Sequence, residues 1–296
     1  MFNFENRVAI VTGAGGGLGR ANALALAERG VKVVVNDVGG VAGAQAVVDE
    51  IAAAGGEAVV DSADITDQVA VEEMVAATLE RWGRVDILIN NAGILRDKSF
   101  AKMGLADFRA VMDVHLMGSV HCTNAVWPHM VEQGYGRILM TTSASGIYGN
   151  FGQSNYGAAK SALVGLTNVL ALEGERKGIR VNALAPTAAT QMTDGLLDAG
   201  AAAKLGPDTI APGAVFLVSD DAPNGTIMGA GAGVFALSKM VEGPAIYLPE
   251  EARSAEEIAA RWLELDDFGD LRTHASAFEQ TKHYVQMASA GTGARA

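Results

Sequence analysis

The sequence predicts an α/β fold: a single doubly wound domain of about seven parallel strands with helices on both faces, followed by a C-terminal helical appendage. Three observations predict this architecture. Short β-branched runs alternate with longer amphipathic stretches, which is typical of parallel strands joined by crossover helices. The 296 residues are 49% hydrophobic and include 36 glycines, which suits a buried sheet with many tight turns. No change in composition marks a linker before about residue 240, so we expect one domain over 1–240 and an extension over 241–296.

The strands are predicted by short apolar runs and the helices by a 3.6-residue periodicity. The strands cover 7–11, 32–36, 58–61, 85–89, 137–142, 180–184 and part of 226–234. The helices cover 18–28, 42–54, 69–82, 107–132 and 155–177. Left-handed caps are expected at the glycines that follow these helices, namely Gly30, Gly55, Gly83, Gly134 and Gly178. In the extension, a capping box at Ser254 and Glu257 opens a helix to about Leu265, and the residues from Ala288 onward are expected to fray.

Charge and composition exclude several classes of function. The net charge is −12 and there is no long basic run, so we expect no nucleic-acid partner. The N-terminus lacks the pattern of a signal peptide, and no apolar run reaches about 18 residues, so no membrane partner is expected. The single cysteine, Cys122, lies in a half-apolar helical segment and is expected to be buried and unreactive. These features predict a soluble cytoplasmic protein, and no metal site is predicted.

A glycine-rich turn follows the first predicted strand. It has the pattern TGxxxGxG, and its candidate cofactor contacts are Gly13, Gly17, Leu18 and Gly19. Glycines at this place let the backbone approach a pyrophosphate at the N-terminus of the next helix. The second strand ends at Asp37, whose carboxylate can accept hydrogen bonds from the adenosine ribose and would repel a 2′-phosphate. Because Gly16 and Val38 supply no cation, the sequence favours NAD over NADP, although Asp37 could instead cap a turn.

Ser143, Tyr156 and Lys160 form a candidate proton-transfer group. Tyr156 and Lys160 stand four residues apart and share one face of a helix. A phenol has a pKa of about 10, and a neighbouring ammonium is expected to lower it. Ser143 ends the fifth predicted strand, where its hydroxyl can hold an alcohol or carbonyl oxygen. The Tyr-x-x-x-Lys spacing is common by chance, so its position relative to the other motifs decides its meaning.

These motifs, in this order, resemble the short-chain dehydrogenase/reductase family, whose members have a Rossmann-type fold. The likeness runs from residue 5 to about 240 and includes Asp64-Ile65 after the third strand and Asn90-Asn91-Ala92-Gly93 after the fourth. The resemblance implies that Asp64 and Ile65 contact the adenine, and that Asn91 and Gly93 lie against the cofactor riboses.

The same resemblance assigns roles at the reacting end of the site. Lys160 would hold the nicotinamide ribose while lowering the pKa of Tyr156, and Ser143 would position the substrate oxygen. Pro186 and Thr187, after the sixth strand, would face the nicotinamide amide. Members of the family usually assemble through the helices predicted at 107–132 and 155–177, which implies a homodimer or homotetramer.

Three segments carry a closer resemblance, to the (3R)-hydroxyacyl-CoA dehydrogenase units of the peroxisomal multifunctional enzymes of type 2, also called 17β-hydroxysteroid dehydrogenases of type 4. These segments are 93–100, 115–118 and 143–156. The likeness implies NAD-dependent interconversion of a (3R)-hydroxyacyl-CoA and a 3-oxoacyl-CoA by a free-standing unit. The alternatives are a 17β-hydroxysteroid dehydrogenase, a 3-oxoacyl-carrier-protein reductase, which usually requires NADPH and is disfavoured by Asp37, and a non-catalytic nucleotide-binding regulator.

Several residues leave alternatives open. His115 stands where many members have an asparagine that helps to relay protons, and it is either structural or part of that relay. Arg96, Lys98 and Lys102 form either a cationic patch for a CoA phosphate or a solvated loop. A last group of side chains could line an apolar pocket or pack in the core, namely Met192, Met228, Met240 and Met287.

Overall fold

The computed structural model describes residues 2, 4–39, 41–189 and 199–293. The chain contains a single eight-stranded sheet with the order β3-β2-β1-β4-β5-β6-β7-β8 within these residues. The strands are β1 Val8–Thr12, β2 Lys32–Asn36, β3 Ala58–Asp61, β4 Ile87–Asn90, β5 Gly136–Thr141, β6 Ile179–Pro186, β7 Ile227–Gly231 and β8 Val234–Ser238. Neighbouring strands from β3 to β7 are parallel, and β8 runs antiparallel to β7. The seven predicted parallel strands are therefore confirmed.

The helices connect the strands and extend to the C-terminal region. They are α1 Gly17–Ala27, α2 Val41–Ala53, α3 Gln68–Trp82, α4 Leu105–Met112, α5 Gly118–Gln133, α6 Ala144–Tyr148, α7 Ser154–Gly174, α8 Ala199–Ala202, α9 Ala211–Leu217, α10 Ala255–Ala260, α11 Trp262–Leu265 and α12 Ala277–Gly293. All five predicted glycine caps have the left-handed backbone, with φ between +63° and +85°. No helix in the described part of the chain is long and apolar enough to cross a membrane.

The two faces of the sheet bury separate apolar clusters, as expected for a doubly wound fold. One cluster packs β1 and β2 residues such as Val11 and Val33 with helix residues such as Leu26. The other packs Ile10 and Leu88 with Val126. Because consecutive side chains of a strand point to opposite faces, a strand covered on both faces must be apolar throughout. Strand β1 accordingly has all five residues buried.

The predicted helix over 107–132 is interrupted in the structure. Asp113–Met117 form a π-helical turn between α4 and α5, in which the Gly118 amide donates to the Asp113 carbonyl. A π-turn inserts one residue into the helical repeat and rotates the side chains that follow it. This local change places His115, at the centre of the turn, against the loop after β4.

The antiparallel strand β8 is not predicted by the sequence analysis. It is joined to β7 by the two-residue turn Ala232-Gly233, whose residues have φ of +51° and +75°. Positive φ at both central positions is characteristic of a type I′ hairpin turn. Such a turn favours glycine. Strand β8 carries the exposed residues Val234 and Leu237, so its sequence pattern differs from that of a buried strand.

The chain divides into two compact units, Met1–Ser238 and Lys239–Ala296. In the second unit the Glu257 amide donates to the Ser254 side chain at 3.1 Å, which confirms the capping box. The predicted helix to Leu265 breaks at Arg261 into α10 and α11. The fraying expected from Ala288 does not begin there, since α12 continues to Gly293 even though Gly291 and Gly293 are poor helix formers.

Candidate active site

A large cavity opens at the carboxyl ends of the parallel strands in the first unit, and its volume is about 1310 Å³. In doubly wound folds this edge of the sheet is where ligands bind. The cavity is lined by all but one of the residues predicted for the site, namely Gly13, Gly17, Leu18, Asp37, Asp64, Ile65, Asn91, Gly93, Ser143, Tyr156, Lys160, Pro186 and Thr187. Gly19 lies beneath this lining, because a Cβ on it would be 2.2 Å from the Gly13 carbonyl oxygen.

The glycine turn after β1 forms a cradle that fits a pyrophosphate. Gly13 and Gly17 have φ of +62° and +53°, which L-residues with a Cβ rarely adopt. A Cβ on Gly16, by contrast, would meet no atom within 4 Å, so the backbone there faces open space. Helix α1 begins immediately after Gly16 without a side-chain cap, which leaves its first amides available to an anion.

Asn91 and Thr12 fix the cradle to the end of β4. The Asn91 side-chain amide donates to the carbonyls of Thr12 at 2.9 Å and Gly13 at 3.1 Å. The Thr12 hydroxyl in turn accepts from the amides of Asn91 and Ala92. Asn91 therefore holds the glycine turn in place, a role that was not part of the sequence prediction.

Asp37 both caps a turn and faces the cavity. Its two carboxylate oxygens accept from the amides of Gly15 at 2.9 Å and Gly39 at 2.7 Å. The turn-capping alternative is thus observed. Each carboxylate oxygen has two lone pairs, so these bonds leave acceptor capacity towards the cavity.

The residues that follow β3 form another part of the cavity wall. One carboxylate oxygen of Asp64 accepts from the amide and hydroxyl of Thr66. The Ile65 side chain is buried, and the Ile65 carbonyl lies 2.9 Å from Nδ1 of His121.

At the other end of the cavity, the Thr187 amide donates to the Ala230 carbonyl at 2.8 Å, which anchors the start of the loop after β6 to β7.

Ser143, Tyr156 and Lys160 converge on the middle of the cavity. Ser143 follows β5 and caps α6, where its hydroxyl accepts from the Ser145 amide at 3.2 Å. Tyr156 and Lys160 lie on α7, with Nζ of Lys160 5.5 Å from the centroid of the Tyr156 ring. The Thr142 hydroxyl donates to the Lys160 carbonyl at 2.7 Å and ties α7 to β5. The Lys160 ammonium donates to the Thr141 carbonyl, so its position is fixed as well.

The protonation of these groups differs from the sequence prediction. Burial lowers the pKa of Lys160 to about 7. Burial raises the pKa of the Tyr156 phenol, while the hydrogen bond with Ser143 lowers it and the charge of Asp97 raises it further. The expectation that Lys160 lowers the pKa of Tyr156 is wrong for the chain alone. The lysine is directed at Thr141 and is only partly charged near neutrality, so it does not offset the desolvation of the phenolate.

His115 lies beside Tyr156 and is 2% exposed. The two rings are 5.2 Å apart between centroids and nearly perpendicular, with an interplanar angle of 87°. Nε2 of His115 lies 3.0 Å from the Ile94 amide and 2.8 Å from the Ile94 carbonyl. Burial, together with the charge of Lys160, lowers the pKa of His115 to about 3.

A polar cluster that the sequence analysis missed lines the cavity near Ser143. The Gln153 side chain accepts from the Ser145 hydroxyl at 2.7 Å and the Asn150 amide at 3.0 Å, and donates to Asp97 at 2.7 Å. The Lys98 amide also donates to the Gly152 carbonyl, so the segments before Tyr156 and after β4 are joined. Gln153 and Asn150 precede Tyr156 at a spacing that is not distinctive in the sequence. Only the fold brings their side-chain amides together.

Of the two alternatives for Arg96, Lys98 and Lys102, the contacts favour a solvated loop over a cationic patch at the cavity. Lys98 and Arg96 lie 2.9 Å and 3.9 Å from the Asp107 carboxylate, which offsets their charge, and neither lines the cavity. Of the methionines, Met228 packs in the core, Met240 and Met287 belong to the second unit, and Met192 lies outside the described residues.

Cys122 is fully buried, as expected from its half-apolar helical segment. Burial raises the pKa of its thiol to about 12. The thiolate is the reactive form of cysteine, and at neutral pH a thiol with this pKa is almost entirely protonated. The expectation of a buried, unreactive thiol is therefore confirmed.

Comparison with known proteins agrees with this geometry. The short chain dehydrogenase family model matches residues 7–199. The peroxisomal multifunctional enzyme type 2 of Drosophila melanogaster is 49% identical over 254 residues, which cover 83% of this chain and 42% of that protein. Its full-length structure matches with a TM-score of 0.84 and 40% identity, covering 97% of this chain and 50% of the other.

Two further relatives carry names that specify ligands. The (2S)-[(R)-hydroxy(phenyl)methyl]succinyl-CoA dehydrogenase subunit of Thauera aromatica is 41% identical over 227 residues, covering 73% of this chain and 91% of that protein. The structure of a 7α-hydroxysteroid dehydrogenase complexed with NADH and 7-oxo glycochenodeoxycholic acid has a TM-score of 0.72 and 33% identity, covering 78% of this chain and 95% of the other. The chain spans less than half the length of the Drosophila enzyme. The family match over residues 7–199 includes the glycine cradle of this chain and its Ser143, Tyr156 and Lys160. The chain belongs to the short-chain dehydrogenase family.

Proposed function

We propose that the chain interconverts a secondary alcohol and a ketone with NAD as the hydride carrier. The observation that carries the proposal is the placement of Ser143, Tyr156 and Lys160 in the same cavity as the glycine cradle. NAD⁺, when bound, supplies the acceptor for the hydride that leaves the alcohol carbon. The residues that would hold it are those of the cradle together with Asp37, Asp64, Asn91 and Lys160.

The chain's own part in the reaction is to hold the substrate oxygen and to move its proton. The hydroxyls of Ser143 and Tyr156 bind that oxygen, and the Tyr156 oxygen takes the proton when the alcohol is oxidised. In the reverse direction the Tyr156 hydroxyl returns the proton to the ketone oxygen. Because burial raises the pKa of Tyr156, the resting phenol is protonated. Alcohol oxidation should therefore accelerate, and ketone reduction slow down, as the pH rises.

The preference for NAD over NADP is supported by the charge around Asp37. Its carboxylate lines the cavity and would repel a 2′-phosphate. Lys160 is the only lysine or arginine among the described residues of the cavity lining, and it lies at the reacting end. No described side chain of the lining therefore offers a cation to a 2′-phosphate beside Asp37.

A (3R)-hydroxyacyl-CoA is the proposed substrate. It carries a carbonyl oxygen two carbons from the hydroxyl, and the polar cluster of Ser145, Asn150 and Gln153 lies beside Ser143. The Thauera relative is named for a hydroxyacyl-CoA substrate, which supports the same class. The pairing of Lys98 with Asp107 speaks against a CoA phosphate site at that lysine, so the CoA end would need another contact.

A hydroxysteroid is the second candidate, because a related structure contains a bile acid and NADH. Ile94, Leu95 and Met117 give the cavity an apolar wall that suits steroid rings. A 3-oxoacyl-carrier-protein reductase is disfavoured by Asp37. A non-catalytic regulator is disfavoured because the serine, tyrosine and lysine are all present.

The proposal is tested by NADH absorbance with purified protein and a panel of (3R)-hydroxyacyl-CoAs, their 3S isomers and 17β-hydroxysteroids. We expect NAD-dependent turnover of the 3R thioesters and none by the Tyr156→Phe variant. NADH titration of the variant is the control, and its affinity should remain within about twofold of the parent, since the phenol hydroxyl is directed at the substrate. Turnover retained by Tyr156→Phe would refute the assignment of the proton donor.

We propose that the chain assembles as a homodimer or homotetramer through α7. Val169 and Leu172 on this helix expose about half of their surface, which supports such an interface. The sequence suggested a cytoplasmic protein, whereas the Drosophila relative is named as peroxisomal. Imaging of the tagged chain in its own cell tests the location.

A further inference from the structure

His115 occupies an unusual position for a titratable side chain. It lies in the π-helical turn between α4 and α5, is 2% exposed, and faces Ile94 on one side and Tyr156 on another. Gly93 closes a third side, since a Cβ on that residue would lie 2.1 Å from Cε1 of the ring. The ring is therefore enclosed by the loop after β4 and by the candidate proton donor.

The hydrogen bonds of this ring cannot all be made. Nε2 lies within hydrogen-bond distance of both the amide and the carbonyl of Ile94, and a single ring nitrogen can only donate or accept. With the proton on Nε2, the carbonyl is satisfied while the Ile94 amide has no acceptor there. Nδ1 is buried and has no hydrogen-bond partner in the described structure in either case. Every protonation state of His115 therefore leaves buried polar groups unsatisfied.

A primary carboxamide with the reach of the imidazole, as in glutamine, would serve Ile94 better than an imidazole does. The carboxamide oxygen can accept from the Ile94 amide while its nitrogen donates to the Ile94 carbonyl. A glutamine at this position would also remove the orphaned Nδ1. Anchoring the loop after β4 is therefore not a sufficient reason for a histidine, and the contact that a glutamine cannot make is the aromatic one with the Tyr156 ring.

We propose that His115 is a positioning residue whose ring holds the Tyr156 phenol in its reactive place, at the expense of a well-satisfied hydrogen bond to Ile94. The perpendicular contact at 5.2 Å lies within the range of favourable edge-to-face aromatic pairs. This inference rests on the proposed dehydrogenase function.

The same observations argue against a proton relay through the ring. A relay group must gain and lose a proton near the working pH. His115 is held neutral by burial and by the neighbouring charge of Lys160, which lower its pKa to about 3. Nδ1 also lacks a partner from which it could receive a proton.

The test compares His115→Gln and His115→Phe with the parent chain. His115→Gln should raise Tm by about 2–4 °C, because it satisfies Ile94 and removes the orphaned nitrogen. It should bind NADH with an affinity within about twofold of the parent, keep KM, and lower kcat by about tenfold through the misplaced phenol. His115→Phe retains a ring and should keep more of kcat than His115→Gln, with a lower Tm.

The pH profile distinguishes positioning from relay. A positioning role leaves the shape of the kcat profile unchanged in His115→Gln, whereas loss of one limb would show that the ring transfers protons and would overturn the inference. A kcat equal to that of the parent, or a Tm below it, would overturn it as well. If the parent itself turns over none of the substrate panel, the proposed function fails instead, and the Tm comparison still tests the hydrogen-bond argument.

Discussion

Replacing Lys160 by methionine should make the chain more stable in acid while abolishing turnover. Lys160 is 3% exposed, and burial lowers its pKa from 10.5 to about 7. The folded chain is therefore destabilised when this buried amine is protonated, because the ammonium group is removed from water. Methionine has a similar length without the charge, so Lys160→Met removes this cost together with the bond to the Thr141 carbonyl.

The size and sign of the effect follow from the two pKa values. Because the pKa is lower in the folded than in the unfolded chain, the cost is absent above about pH 10.5 and grows as the pH falls, reaching its full value below about 7. At about 1.4 kcal/mol for each pH unit, the full cost is about 5 kcal/mol. About 2 kcal/mol remains at pH 9. The parent should therefore gain about 3 kcal/mol relative to Lys160→Met between pH 6 and pH 9.

The assay is urea denaturation of both proteins at pH 6, 7.5 and 9, without cofactor and at one protein concentration. The loss of the Thr141 bond is independent of pH, so it shifts the difference by a constant and leaves its slope intact. The other titrating groups are shared and cancel in the comparison. His115 is coupled to Lys160, but burial is the larger cause of its low pKa, so it stays neutral in the folded chain over this pH range in both proteins. A stability difference that stays constant across this range would refute a depressed lysine pKa. If the stability of Lys160→Met relative to the parent increased with pH, the fold would instead stabilise the lysine as a cation.

The remaining predictions concern the cofactor site and assembly. Asp37→Ser should raise the ratio of NADP to NAD affinity in fluorescence titrations, and an unchanged ratio would count against the ribose assignment. Gly19→Ala should abolish NADH binding and cost about 1–3 kcal/mol in urea denaturation, because its Cβ would lie 2.2 Å from the Gly13 carbonyl oxygen. Gly16→Ala is its matched control, since a Cβ there meets no atom within 4 Å, and it should leave the free energy of unfolding nearly unchanged. Sedimentation at micromolar concentration should show a dimer or larger species, which Leu172→Glu should weaken; a monomeric parent would contradict the assembly proposal.

The sequence was sufficient for the parallel sheet because burial on both faces forces each strand to be apolar throughout. The same logic located the glycine caps and the residues of the cavity, since the carboxyl ends of parallel strands meet at one edge. It failed for β8, whose exposed residues follow no buried pattern and whose existence depends on the hairpin turn at Ala232-Gly233. It also failed for the π-turn, because one inserted residue only shifts the phase of the helical periodicity and does not interrupt it.

The electrostatics of the site could not be predicted from neighbouring positions in the sequence. A lysine four residues from a tyrosine is expected to lower the pKa of the phenol only if both side chains are similarly exposed to water. In the fold Lys160 is buried and directed at Thr141, and the phenol is itself desolvated. Lys98 and Arg96 likewise form a cationic run in the sequence, yet Asp107 approaches both from α4. Burial and long-range partners decide these charges, and neither is visible in the order of residues.

The cavity must bind an anionic dinucleotide in a chain whose net charge is −12. Its described lining contains Asp37, Asp64 and Asp113, with Lys160 as the only lysine or arginine. Since burial brings the pKa of that lysine to about 7, side chains cannot supply most of the positive potential near neutrality. The amides at the uncapped start of α1 remain as its source, and they carry partial positive charge at every pH. The glycines of the cradle are therefore required twice, once to let the pyrophosphate approach and once to keep those amides uncovered.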